Sequence, residues 1–187
     1  MKKILFSLFI CGLTLNAISQ NATVEKSTFG IQTGFLGIWA HNESKLSNLI
    51  SLRSEIGLDT GVTIKDGNNI TGFLLTPVLT LEPRWYYNLN KRVSKSKRID
   101  GNSGNFISIK TTYHPDWFVI PNETNLNFIT DISIVPTWGI RRNIGNHFTY
   151  EAGIGIGYLH YFKKDNVVFI NESDVALNLH LRAGYRF

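Results

Sequence analysis

Cysteine is almost missing from this chain. The single one, Cys11, lies in an apolar run near the N-terminus, and residues 20–187 hold none. No disulfide framework can therefore staple the fold, even in an oxidising compartment. Also missing is any run of eighteen consecutive apolar residues beyond that start, which excludes a spanning helix. Charge is sparse at 18% of residues, and the formal excess of +5 is local. Lys91, Arg92, Lys95, Lys97 and Arg98 crowd into eight residues, while the remainder is close to balance. Nucleic acid is a poor partner for such a run, because no aromatic stacking platform accompanies it. No closely spaced His/Asp/Glu cluster has metal-ligand spacing, and no cofactor motif is found.

What is present begins with an export signal. Lys2 and Lys3 form a positive region, Ile4 to Leu15 an apolar one, and Ala17-Ile18-Ser19 a small-residue cleavage site. Residues 1–19 thus read as a signal peptide, with Gln20 as the mature N-terminus. Cys11 does not suit a lipid anchor, since Ile10 before it is not small and Cys11 sits inside the apolar region. Residues 20–187 suffice for one domain.

Those residues alternate. In Val175–Phe187 the odd positions Val175, Leu177, Leu179, Leu181, Ala183, Tyr185 and Phe187 are apolar. The even ones include Asn178, His180, Arg182 and Arg186, so the period is 2.0 and the segment is a strand. The same logic predicts strands over 28–40, 50–60, 73–88, 106–114, 126–141 and 148–162. Phe29, Ile31, Phe35 and Trp39 share a face of the first, and 41–48 reads as a polar connection. Pro77 and Pro83, awkward inside a sheet, suggest a bulge or bend. Trp39, Trp85, Tyr87, Tyr113, Trp138, Tyr150, Tyr185 and Phe187 fall near strand ends on the apolar face, where membrane barrels carry aromatic girdles.

Seven strands are clear, yet bacterial barrels of this kind have an even number. Either an eighth is hidden, with Asn166–Asn171 the first candidate and Thr23–Gly30 the second, or one predicted strand is two. The expected fold is all-β: a single closed antiparallel transmembrane β-barrel of eight strands over residues 20–187. The alternative is a soluble periplasmic barrel with an apolar core.

The polar phase collects Arg53, Arg84, Lys110, Arg141, Arg182 and Arg186 against Glu55, Asp59, Glu82, Asp131 and Glu151. An eight-stranded barrel is only wide enough for side chains to fill it, and a buried charge must be paired. The expectation is a lumen plugged by an ion-pair network, with Glu151, Asp131 and Glu55 as partners for Arg182 and Arg186. An ion-conducting pore would instead favour one dominant sign. Gly153, Gly155 and Gly157 are expected to make room for bulky neighbours.

A second functional reading is a lipid-directed hydrolase, in which His takes a proton from Ser and a carboxylate orients the His. His114 and His180 share the inward phase with Ser108, Ser133 and Glu151, while His160 lies outward. Nothing has motif-level spacing, and the expectation is no enzyme. Trp117 and Phe118 are the first candidates for a loop contact surface. The run Lys91 to Arg98 could attract an anionic polymer or lipid phosphates, although a solvated turn is the simpler reading.

The terminal LHLRAGYRF and the units LEPRWYYNLNKR and IVPTWGIRRNIGNHFTYEAGIGIGY resemble the small, porin-like outer-membrane β-barrel proteins of Gram-negative bacteria. That resemblance implies a protein of the cell outer membrane, in contact with its lipid. It also implies that Phe187 is part of the signal read by the barrel-assembly machinery. By the same analogy, Phe187, 88–92 and 142–146 lie on the periplasmic side. Members of that family range from adhesins to lipid-modifying enzymes, so the resemblance bears on fold more than on activity.

Overall fold

The computed structural model describes residues 22–65, 69–120, 129–162 and 172–187. The expected signal peptide and the proposed strand at 166–171 lie outside these. The chain is an all-β closed barrel in which eight antiparallel strands pair strictly in sequence order. They are β1 (Ser27–Gly34), β2 (Gly37–Lys45), β3 (Ile50–Lys65), β4 (Asn69–Trp85), β5 (Asn105–His114), β6 (Asp131–Ile144), β7 (Phe148–Tyr161) and β8 (Ser173–Arg186). Closure comes from β1 against β8, in register from Gly30↔Arg186 to Gly34↔Arg182.

The missing eighth strand is found by splitting the first. Gly34 and Gly37 pair across a two-residue turn, Phe35-Leu36, so the segment read as one strand is the β1–β2 hairpin. Gly37 has φ +147 and lies hard against the Leu58 carbonyl, which leaves no space for a side chain. The turn reverses the phase. Phe29 and Ile31 face outward on β1, but on β2 the inward set is Trp39, His41 and Glu43. Trp39 is therefore a lumenal residue, not part of an outer girdle, and 41–45 is strand rather than connection.

The prolines produce no bulge at their own positions. Around Pro83 the β4–β5 register is the same on both sides, Leu81↔Thr111 and Arg84↔Ser108, with no pairing at Glu82 and Pro83. A residue without an N–H interrupts the ladder there and leaves the strands in step. The β3–β4 register shifts at Thr63/Ile64 instead.

The wall has two contrasting faces. Every strand turns large apolar side chains outward, such as Ile31, Ile38, Ile56, Leu81, Ile109, Ile134, Ile154 and Leu179. Inward positions are mostly polar or charged, so the barrel does not form around an apolar core. Bulky inward side chains lie over glycines of the next strand: Phe106 over Gly139 and the His180 ring over Gly153. Gly155 and Gly157 face the β6 backbone and Val135.

An apolar cluster is found at the end where Ala22 and Phe187 lie. Ala22, Val24, Tyr86, Leu89 and Phe106 are buried together, with Leu49, Val93 and Ile99 packed on them. The 86–104 connection, carrying the short helix α1 (Leu89–Val93), folds with the N-terminal segment across the mouth. Ala22 N–H donates to Asn90 Oδ1 at 3.0 Å and Val24 N–H to the Asn48 carbonyl at 2.8 Å. This end is closed. The connections 88–92 and 142–146 lie at it with Phe187.

Candidate functional site: a charged lumen with two different halves

The sealed half contains four arginines and four glutamates, all buried: Arg53, Arg84, Arg141 and Arg182 with Glu43, Glu55, Glu82 and Glu151. Strand alternation brings them together, because each occupies the inward phase of β2, β3, β4, β6, β7 or β8 at a similar height. Arg84 clamps Glu151 with two hydrogen bonds of 2.9 and 2.8 Å and reaches Glu82 at 2.7 Å. Arg182 donates to both oxygens of Glu55, at 2.9 and 3.0 Å. Arg141 donates to Glu43 at 2.6 Å. Arg53 donates from Nε to Glu55 and from Nη2 to Gln32 Oε1 at 2.6 Å.

Neutral groups complete the set. Ser108 donates to Glu82 at 2.6 Å; Ser51 and Asn102 donate to Glu43 at 2.7 Å each. The guanidinium of Arg182 stacks 3.8 Å over Trp39 and that of Arg84 lies 4.2 Å over Phe106. Planar forks of this kind satisfy two carboxylate oxygens at once, which is what offsets desolvation of both charges.

Sequence pattern misses Glu43 and His41 in the presumed connection and puts Trp39 on the outer face, because the hairpin goes unrecognised; Gln32 keeps the phase opposite Phe29 and Ile31 that the pattern gives it. The available signal was the Gly34/Gly37 pair flanking two residues. Asn102 escaped for another reason: it reaches the lumen from the floor, out of strand phase.

The other half differs. Asp59 and Asp131 were expected among the arginines but instead hold His114, whose Nδ1 lies 2.9 Å from Asp131 Oδ1 and Nε2 3.1 Å from Asp59 Oδ2. Both ring nitrogens can donate to carboxylates only in the imidazolium form. Trp39 Nε1 donates to the second Asp59 oxygen at 2.6 Å. These side chains keep 15–28% of their surface exposed. Lys110 shares this wall, and among the described residues no ion pair is formed by it. Arg186 is on neither half: it meets Glu25 at 3.0 Å and Asp100 at 3.5 Å on the closed rim. Its partners are thus not those expected of it.

The residues of the hydrolase reading are scattered. His180 sits 3.2 Å from Asn178 and 3.4 Å from Glu151, while Ser108 is committed to Glu82. Among the described residues, no serine hydroxyl is hydrogen-bonded to a histidine ring. No group of three or more His, Cys, Asp or Glu there is arranged to hold a metal ion. His160 packs outward against Phe162, ring centroids 5.2 Å apart. Trp117 and Phe118 are exposed beyond the open end, where Ile120 bridges back to Leu75. No family model, curated protein or solved structure matches the chain.

Proposed function

We propose that this β-barrel protein is an integral, non-enzymatic barrel of the outer membrane, closed to ions by its arginine–glutamate plug and acting through its loops. The observation that carries this is the inverted distribution of polarity. Water-soluble proteins rarely expose contiguous apolar patches larger than a few hundred Å². Here all eight strands turn large apolar side chains to the same outer surface, and Leu177 and Leu179 are 77% and 72% exposed. Lipid is the solvent that suits such a wall, and β4, β6, β7 and β8 exceed the nine to eleven tilted residues needed to cross it. Aromatic side chains on the outer face near the closed end, Trp85, Tyr87, Trp138, Tyr150, Tyr185 and Phe187, suit the interfacial girdle.

The closed end is proposed as the periplasmic side, with Phe187 available there to the assembly machinery. The open end, with Trp117 and Phe118, faces outward and is the side for loop-mediated contacts. Extraction tests the reading. The protein should stay with the membrane through an alkaline wash, leave it only with detergent, and migrate differently on a gel before and after heating. A water-soluble extract without detergent would contradict it. Planar-bilayer recording should give no steady conductance; a stable ohmic pore would mean that the plug does not seal the lumen.

A further inference from the structure

The closed end carries two guanidinium groups that neutral oxygens hold in place and that no acid among the described residues neutralises. Arg142, on the outer face of β6, donates to the carbonyls of Gly104 and Arg141 at 2.8 and 2.7 Å and to Asn105 Oδ1 at 2.6 Å. Arg92, on α1, donates through Nε and Nη2 to the Arg98 carbonyl at 3.0 and 2.7 Å. Among the described residues neither has a carboxylate partner, whereas nearby Arg98 is spent on Asp100 at 2.7 Å. Arg98 ties the loop that carries Arg92 to the β6–β7 turn just past Arg142, its Nη2 donating to the Gly145 carbonyl at 2.7 Å, and the Arg92 pKa is pushed down first by partial burial and then by the charge of Arg142. Two like charges held together without a counter-ion are costly unless an anion sits between them.

The adjoining wall extends this cation pair into the aromatic belt. Trp138 Nε1 donates to the Tyr87 hydroxyl at 2.9 Å, and Asn105 Nδ2 donates to the same oxygen at 3.3 Å. Asn105 in turn accepts from Arg142, so Trp138, Tyr87, Asn105 and Arg142 form one hydrogen-bonded chain along the outer surface. With both acceptor sites of its oxygen used, the Tyr87 hydroxyl has its own proton left to donate. Tyr150 lies directly across from Arg142 in the β6–β7 register. The result is a row of outward donors and positive charge at one end, continuing into apolar aromatic surface at the other.

The geometry points to a binding site for the headgroup of an anionic phospholipid on the outer wall, with Arg92, Arg142 and the Tyr87 hydroxyl on its phosphate and its acyl chains along Trp138 and Tyr150. This deepens the membrane reading above and rests on it. It also narrows the attraction of the 91–98 run to a built site, since Lys91, Lys95 and Lys97 contribute only diffuse charge.

The test uses the full chain in phosphatidylcholine nanodiscs containing a minor fraction of phosphatidylglycerol, with retained lipid identified by native mass spectrometry. The native protein should hold phosphatidylglycerol in preference to phosphatidylcholine. The double variant Arg92→Gln/Arg142→Gln should lower that retention roughly tenfold or more, each cation near an anionic surface being worth a factor of about five. Lys95→Gln/Lys97→Gln removes the same charge from more exposed positions and should lower retention by a much smaller factor. Tyr87→Phe, which deletes one hydroxyl, should give a several-fold loss. Heat-modifiable migration of each variant establishes that it is folded. Equal retention of the two lipids, or equal losses in the two double variants, would overturn the site while leaving the membrane reading intact. Displacement of the lipid by excess inorganic phosphate would make it a free-anion site and overturn the lipid assignment. A protein that does not insert into the nanodisc at all removes the membrane reading and the site with it.

Discussion

The two halves of the lumen treat charge in opposite ways. In the sealed half, four arginines and four glutamates are withdrawn from water and tied together by multiple hydrogen bonds. In the open half, one histidine is shared by two aspartates, Lys110 stands without an ion pair among the described residues, and partial exposure remains. The difference follows from solvent access. An unpaired charge is tolerable where water reaches it and prohibitive where it does not. Pairing in the sealed half is therefore obligatory, and pairing in the open half is optional. The halves meet at Trp39, which stacks under Arg182 on one side and donates to Asp59 on the other.

Breaking the sealed half should have the largest effect. Glu151→Ala takes the two-hydrogen-bond clamp from Arg84, leaving it Glu82 alone at hydrogen-bond distance, and removes the counter-charge beside Arg53 and His180. The expected loss is about 3–5 kcal/mol, read as a lower urea midpoint for the heat-modifiable form in vesicles. A loss below about 1 kcal/mol would mean that water enters the plug. Next comes the outer wall, where Leu179→Arg should cost about 2–4 kcal/mol if the position lies near mid-membrane. A neutral result there would give the wall the wrong solvent.

The open half should yield less. Asp131→Asn deletes one charged partner of His114 and leaves Asp59 in place, so about 1 kcal/mol is expected from a hydrogen bond to a partly exposed ion. Equality with Glu151→Ala would erase the distinction between the halves. Smallest is the exposed rim, where hydrogen bonds from Arg98 hold the Asp100 carboxyl below its ordinary 3.8. A depressed folded-state value contributes stability above the unfolded pKa and loses it as pH falls through the folded one. Acidification below pH about 4 should thus weaken the rim by well under 1 kcal/mol, and Asp100→Asn should flatten that slope in an acid titration of unfolding.

How much of this was legible in the chain itself varies with the physics involved. Strands β3 to β8 announce themselves because outward apolar residues alternate with lumenal ones along each strand. The β1–β2 hairpin does not, since its turn residues Phe35 and Leu36 are apolar and hide the reversal of phase. Missing that turn misplaced Trp39, concealed Glu43 and left the strand count odd. Within the plug, phase alone identified Arg53, Glu55, Glu82, Arg84, Arg141, Glu151 and Arg182 as lumenal. It could not separate them from Asp59, Lys110 and Asp131, because phase carries no height along the barrel axis. The floor was invisible for a further reason. Val24, Leu89 and Asn102 belong to segments without periodicity, and only the folded chain brings them under the lumen.

The inverted wall is tested most directly by asking which tryptophans meet lipid. Trp85 and Trp138 are 49% and 45% exposed on the outer face, whereas Trp39 is 3% exposed inside the lumen. Single-tryptophan variants in vesicles of brominated lipid should show strong quenching of Trp85 and Trp138 and none of Trp39. Quenching of Trp39 with the other two unaffected, or of no tryptophan at all, would contradict an apolar outside and a polar, sealed interior.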